Sequence, residues 1–419
     1  MRLPRYLIVT LLLFSFSTIT QAKQSKKRKY KKRKAQSSWF QLERKKIDVD
    51  FQFKVLTNNS EAQKLGQTWE SEQLQIYSAV AAFDFKLFQT HRLKVHGFVR
   101  QGFSKLYSES YPVPALSFSA YPKIITPREL LKLQHQESGD DSLTYSDFNE
   151  LSYSWGDDEV TFSAGRMPVV YGEGLVINPI NPFNHNSYLA TNLSPPQGND
   201  GFSFSIKKSS KHQLNFYFLG DKQFSDYDDQ ITRTIALHGQ WNRTKTFQIN
   251  YLLSEDQKRH KYGFELKKNL ASGLLYLQAV NYSKRLDQLS TESKGLTHFL
   301  LGANYEFGTK WIMRIESGKF AQDPVFPLND PSAHMPLESI TALFNTIKIN
   351  KKWNAELGLL EDQGSGANWY KFSGIYRRNK NIKAFVFFSG LMKPANDDAQ
   401  YLSQKYIPSE TGFSLRVNF

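Results

Sequence analysis

The sequence predicts an all-β fold, a transmembrane antiparallel up-and-down β-barrel of about 18 strands within a range of roughly 16 to 18. Three observations lead there. The first is period-two alternation of apolar and polar residues, the pattern of a strand with one face turned away from water, which runs with few breaks from Ile47 to Phe419. The second is rhythm: tight polar turns alternate with long polar loops along the chain. The third is composition, hydrophilic on average yet 14% aromatic, with 21 Tyr and 32 Phe in 419 residues. A helical membrane protein cannot be this polar. A membrane barrel can, because only every second residue of a strand touches lipid and its interface girdles consume aromatics.

The chain begins with a targeting pattern. Arg2 and Arg5 precede an apolar run from Tyr6 to Phe16, and Thr20-Gln21-Ala22 supplies the small residues of a cleavage site, so residues 1–22 read as a signal peptide. The run is too short for a membrane-spanning helix, which needs about 20 apolar residues. Cysteine is absent, so no disulfide framework exists. Residues 23–46 form a basic segment expected to be disordered; Lys23 to Lys34 carries nine basic side chains and no acid. It serves either as a solvated tail or as an electrostatic tether to an anionic leaflet or an acidic envelope polymer. Nucleic acid is excluded as a partner by export of the chain. The barrel is assigned to 47–419.

The strands follow in order. Ile47 to Leu56 sets Ile47, Val49, Phe51, Phe53 and Val55 on one face; Leu74 to Phe88 and His91 to Ser104 follow. Asp147 to Trp155 and Glu159 to Arg166 are joined by Gly156-Asp157-Asp158. Six hairpins then run from Gly201 to Leu391, each with a polar turn of a few residues such as Asn242-Arg243-Thr244 or Asn379-Lys380-Asn381. The last strand, Thr411 to Phe419, alternates Phe413, Leu415, Val417 and Phe419 against Ser414, Arg416 and Asn418. An apolar strand at a chain end aggregates unless something covers it. Pairing with Ile47 to Leu56 would close the sheet and remove both edges.

This ending resembles the C-terminal signal of Gram-negative outer-membrane proteins, in which a terminal Phe and alternating apolar positions are read by the barrel assembly machinery. The resemblance implies that Phe413, Leu415, Val417 and Phe419 are an assembly signal. It also implies the cell outer membrane as location, with short turns in the periplasm, long loops outside, and lipid and lipopolysaccharide around the wall.

With the apolar faces on lipid, the opposite faces line a wet lumen. Pore-lining candidates are Arg92, Lys94, His96, Arg100, Arg314, Glu316, Lys371 and Arg416, joined by Lys261, Lys267, Arg377 and Lys383. The acids on that side, Asp84, Glu150, Glu159, Glu265, Glu316 and Glu356, are fewer. A positive excess favours anions over cations in a pore; bracing of the wall by ion pairs is the alternative. The segment from Met167 to Asp200, with Gly165 just before it, has three close glycines (Gly165, Gly172 and Gly174), two Asn-Pro steps and apolar Val169, Val170, Leu175, Val176, Ile177 and Phe183, which need a packing site. A loop folded into the lumen provides one. Its constriction candidates are Arg166, Tyr171, Glu173, Asn178, Asn181, Phe183 and Asn184. Gly165, Arg166, Gly172, Gly174, Asn178, Pro179, Phe183 and Asn184 resemble a Gly-Arg-Gln…Trp-Gly-x-Gly…Asn-Pro-x-Asp-x-Phe-Asn segment of outer-membrane porin groups. Met167, Tyr171 and Asn181 depart from it.

Chemistry is not signalled. There is no Gly-x-Ser-x-Gly elbow, and no spacing of the nine His requires a metal or a triad. No cofactor is expected. The leading expectation is therefore a porin-like channel for passive or weakly selective passage of small hydrophilic solutes, anionic ones included. Two alternatives stand beside it: an export conduit for an anionic polysaccharide, since a basic lumen of this size also resembles alginate-export barrels, and an outer-membrane barrel enzyme.

Overall fold

The computed structural model describes residues 40–57, 71–104, 135–138, 142–170, 172–174, 178–180, 198–209, 211–225, 228–256, 260–283, 295–321, 339–364, 366–393 and 409–419. The expected signal peptide and the Lys23 to Lys34 run lie outside these residues. The strands are β1 (Phe40–Thr57), β2 (Ser71–Leu87), β3 (His91–Phe103), β4 (His135–Ser138), β5 (Ser142–Gly156), β6 (Val160–Met167), β7 (Asn199–Ser209), β8 (His212–Ser225), β9 (Asp228–Asn242) and β10 (Phe247–Asp256). They continue as β11 (His260–Leu270), β12 (Gly273–Tyr282), β13 (Leu296–Phe307), β14 (Trp311–Phe320), β15 (Ser339–Lys348), β16 (Trp353–Asp362), β17 (Asn368–Arg377), β18 (Ile382–Lys393) and β19 (Ser409–Asn418).

Eighteen of them form a closed antiparallel wall, each paired with its sequence neighbours. Closure is made by β1 against β19, with Phe51 opposite Leu415 and Phe53 opposite Phe413. The Phe419 N–H donates to the Ile47 carbonyl at 2.8 Å, so the ladder reaches the last residue. The exception to the wall is β4. Its four residues pair with the Leu143 to Ser146 end of β5, whose other flank is held by β3. The pairing of β5 with β6 begins only at Leu151, so β4 occupies the place above β6 where that strand has left the wall.

Two strands begin five or more residues earlier than the alternation suggests, and both carry a register shift. β1 starts at Phe40 rather than Ile47, and a shift between Leu42 and Arg44 breaks the period. β5 starts at Ser142 rather than Asp147, with a shift opposite His96 and Gly97. One inserted residue exchanges the two faces, so a strand that crosses a bulge stops looking periodic.

The turns at one rim are short and set by side chains that mimic the backbone. Asn350 Oδ1 accepts from the N–H groups of Lys352 and Trp353 at 2.8 and 2.9 Å, and Asn379 Oδ1 from Asn381 and Ile382, both at 2.8 Å. Asp157 does the same for Val160 and Glu159, and those amides hold its carboxyl below the usual range. Outward from the wall project Phe216, Phe218, Ile235, Leu253, Phe264, Phe299, Leu301, Phe372, Val386, Phe413 and Leu415, all exposed. A belt of this extent is an aggregation surface in water and a matched surface in lipid. The barrel therefore spans a membrane.

Candidate functional site

The lumen is built by the strand faces opposite the belt, and its charges gather on one arc of the wall, β17 to β19 and β1 to β3. Arg377 lies opposite Lys383, Lys383 opposite Arg416, and Arg416 opposite Asp50. Three cations thus stand side by side on neighbouring strands, with Asp50 4.0 Å from the last of them. Asp50 is also held by Gln52 Nε2 and Ser414 Oγ, both at 2.6 Å. Higher on the same strands Lys54, wholly buried, pairs with Glu410 at 3.5 Å.

The other half of the arc is an ion-pair cluster on β2, β3 and β5. His96 places Nε2 2.5 Å from Asp84 Oδ1 and Nδ1 3.0 Å from Glu150 Oε2. Lys94 reaches Glu150 at 3.2 Å, Arg44 lies 4.0 Å from Asp84, and Arg100 Nε donates to Ser78 Oγ at 3.3 Å. Arg92 is exposed one register step toward the turn rim. Cations outnumber acids along the whole arc.

The opposite side of the lumen is occupied by the chain that leaves β6. Its foot is an ion triad: Arg166 Nη1 meets Asp147 Oδ1 at 2.5 Å, while Nε and Nη2 meet the two Asp200 oxygens at 2.7 and 3.1 Å. All three are almost completely buried. Arg166 and Asp200 are register partners at the last step but one of the β6–β7 ladder, so the triad fastens both ends of the departing segment. Gly165, with φ +114°, turns the backbone here, where a Cβ would strike the Leu151 carbonyl.

Beyond the foot, Val169 and Ile180 pack into a buried cluster with Leu219, Ala236, Leu252, Val280, Tyr282 and Leu296. Those partners belong to β8, β9, β10, β12 and β13, and a chain leaving β6 reaches their buried faces from inside the barrel. Gly172, at φ +84°, makes the turn that brings Asn178 and Ile180 against it. The Glu173 N–H then donates to Glu265 Oε1 at 2.9 Å, and the Glu173 carboxylate pairs with Lys267. Glu265 is wholly buried and also accepts from Asn250 Nδ2 at 2.5 Å and Gln278 Nε2 at 2.7 Å, its register neighbours on β10 and β12.

The expected residues therefore separate. Arg92, Lys94, His96, Arg100, Lys371 and Arg416 sit on the inner faces of the cationic arc. Arg314 and Glu316 lie on β14, away from it; Glu316 is wholly buried and accepts from the Tyr276 hydroxyl, whose ring lies over Gly302. Arg166 is enclosed in the triad rather than turned to the lumen. Glu159 is not on a strand face: it is exposed in the Asp157–Glu159 turn. Glu173 and Asn178 belong to the crossing segment, whereas Tyr171, Asn181, Phe183 and Asn184 lie outside the described residues. Asp50, Asp147, Asp200, Glu410, Asn250 and Gln278 were not singled out from sequence. The usable signal was cross-strand: Asp50, Asp200, Asn250 and Gln278 are the register neighbours of Arg416, Arg166, Glu265 and Glu265, while Asp147 and Glu410 reach their cations diagonally.

No family model matches the chain, and no curated protein matches it in sequence. Solved structures do match it in fold. Acinetobacter baumannii OccAB1 aligns over 92% of this chain and 99% of its own at a TM-score of 0.54 and 11% identity. Pseudomonas aeruginosa OccK9 (OpdG) gives 0.56 and 9%, covering 90% and 97%. Pseudomonas aeruginosa OpdK, solved with vanillate, gives 0.53 and 7%, covering 90% and 99%.

Proposed function

We propose that this protein is an outer-membrane channel for small hydrophilic solutes that favours anionic ones. One observation carries the reading: the free side of the lumen is lined by the Arg377, Lys383 and Arg416 row and the Lys94 and Arg100 side of β3, while the segment fixed by Glu265 fills the other side. A solute passing the constriction is confined against cations, and charges at a narrow wet passage set the sign of what permeates. The solved structures of similar fold are outer-membrane channels, and one holds vanillate, a small aromatic carboxylate. A carboxylate of that size suits such an arc, because guanidinium and ammonium groups bind carboxylates by charge-assisted hydrogen bonds.

An export conduit for a polysaccharide fits less well. A polymer needs an unobstructed lumen, and here the crossing segment is held at its foot by buried ions and at its tip by a buried carboxylate. The test is the reversal potential of purified protein in planar bilayers under a salt gradient. Anion preference is expected, and it should fall when Arg377, Lys383 and Arg416 are all replaced by Gln. Cation preference in the unaltered protein would overturn the assignment.

A further inference from the structure

The short-turn rim of the barrel carries a charge pattern that the passage of solutes does not use. Six consecutive hairpins, from β7–β8 to β17–β18, each present an exposed cation at or beside the turn: Lys211, Arg243, Lys268, Lys310, Lys351 and Lys380. None of these has an ion-pair partner among the described residues. Glu306 is the one acid within three residues of these turns among the described residues. The remaining sector is different: the β5–β6 turn is Asp157-Asp158-Glu159, and the β2–β3 turn, Phe88-Gln89-Thr90, carries no charge itself, with Lys86 and Arg92 two residues to either side.

Immediately above the cations stands an aromatic row that fixes their depth. Trp311 follows Lys310 directly and stacks on Phe307 with centroids 4.4 Å apart; Trp353 follows Lys351 and Lys352 and packs on Tyr376 at 4.8 Å; Trp241 precedes Arg243 and stacks on His212 at 5.8 Å. Outward Trp and Tyr rings settle at the headgroup level of a bilayer. At about 3.3 Å per residue, cations one or two positions beyond them lie within roughly 7 Å, at the depth of the lipid phosphates. Neighbouring turns are two strands apart, about 10 Å, close to the Debye length at physiological salt, so their fields overlap.

We propose that the β7–β18 sector of this rim is a binding surface for anionic phospholipid headgroups of the leaflet on the turn side. The aromatic row favours lipid over a soluble polyanion, since it holds the cations at the membrane surface rather than on a projecting domain. Anionic lipid gathers along this sector and is repelled from the β5–β6 turn.

The test is quenching of tryptophan fluorescence by brominated lipids in vesicles of phosphatidylglycerol and phosphatidylcholine. Trp241, Trp311 and Trp353 report on the rim itself. The expected result is a relative binding constant of threefold or more for phosphatidylglycerol at low salt. It falls toward one in 0.5 M NaCl, and in a variant carrying Lys211→Gln, Arg243→Gln, Lys268→Gln, Lys310→Gln, Lys351→Gln and Lys380→Gln. Should that variant not insert, Lys310→Gln with Lys351→Gln and Lys352→Gln tests the same sector beside two of the reporters. A wild-type ratio near one, or a ratio indifferent to both salt and substitution, overturns the proposal. So does binding of soluble polyglutamate to the detergent-solubilised protein with no lipid preference, which would make the partner an acidic macromolecule. Because the readout is lipid contact, its failure leaves the conductance assignment untouched.

Discussion

Replacing Glu265 with Ala should release the tip of the crossing segment while leaving the barrel standing. The carboxylate is wholly buried and takes three donors, the Glu173 N–H at 2.9 Å, Asn250 at 2.5 Å and Gln278 at 2.7 Å. Only the first of these ties the segment; the other two lie within the wall. A hydrogen bond to a charged acceptor contributes about 1.5–3 kcal/mol. Its loss should raise the ratio of released to docked segment by about 10- to 150-fold, at a factor of ten per 1.4 kcal/mol. Glu173→Gln acts on the same contact differently. It weakens the pair with Lys267, whose partners are 37% and 15% exposed, and such pairs contribute only about 0.2–1 kcal/mol. Single-channel recording separates the two. Glu265→Ala should show frequent steps to a larger conductance, and Glu173→Gln only a small increase in their frequency. Equal effects, or an unchanged trace for Glu265→Ala with unchanged heat-modifiable gel migration, would refute the latch.

Removing Arg166 should act on stability rather than on flow, because Arg166→Met leaves Asp147 and Asp200 buried without their shared cation. Breaking one partner out of a buried ion group costs about 3–5 kcal/mol, so the temperature at which the barrel loses its compact gel migration should drop, with partial recovery when Asp200→Asn is added; an unchanged midpoint would sink the reading. Deleting Phe419 should impair assembly, since its N–H closes the final rung onto Ile47. The yield of inserted barrel in vesicles measures this, and normal insertion with altered conductance would show that the residue acts on the pore instead.

How much of this was legible in the sequence depends on whether a feature is local. Alternation is local, so the eighteen wall strands, the inward phase of Arg92 to Arg100 and the outward phase of Phe413 to Phe419 could be read residue by residue. The Leu42–Arg44 shift hid the first turns of β1, because a bulge erases the very period being read. β4 was not legible for another reason: four residues, His135 to Ser138, are too few to display a period, and they are strand only because β6 vacates its place beside β5.

The lumen contacts belong to a third kind, set by register between strands rather than by any one strand. Glu265 becomes a docking point because Asn250 and Gln278 stand opposite it on both sides, and those three sit on three different strands. Arg377, Lys383 and Arg416 form a row for the same reason. Within a short-turn hairpin free of bulges, such neighbours follow by arithmetic from the turn length. A charge on an inner face can then be judged by its two cross-strand partners. Where they can pair with it, as at His96 with Glu150 or Glu265 with Gln278, the group braces the structure; where both are like charges, as at Lys383 between Arg377 and Arg416, the site favours an anion entering the lumen.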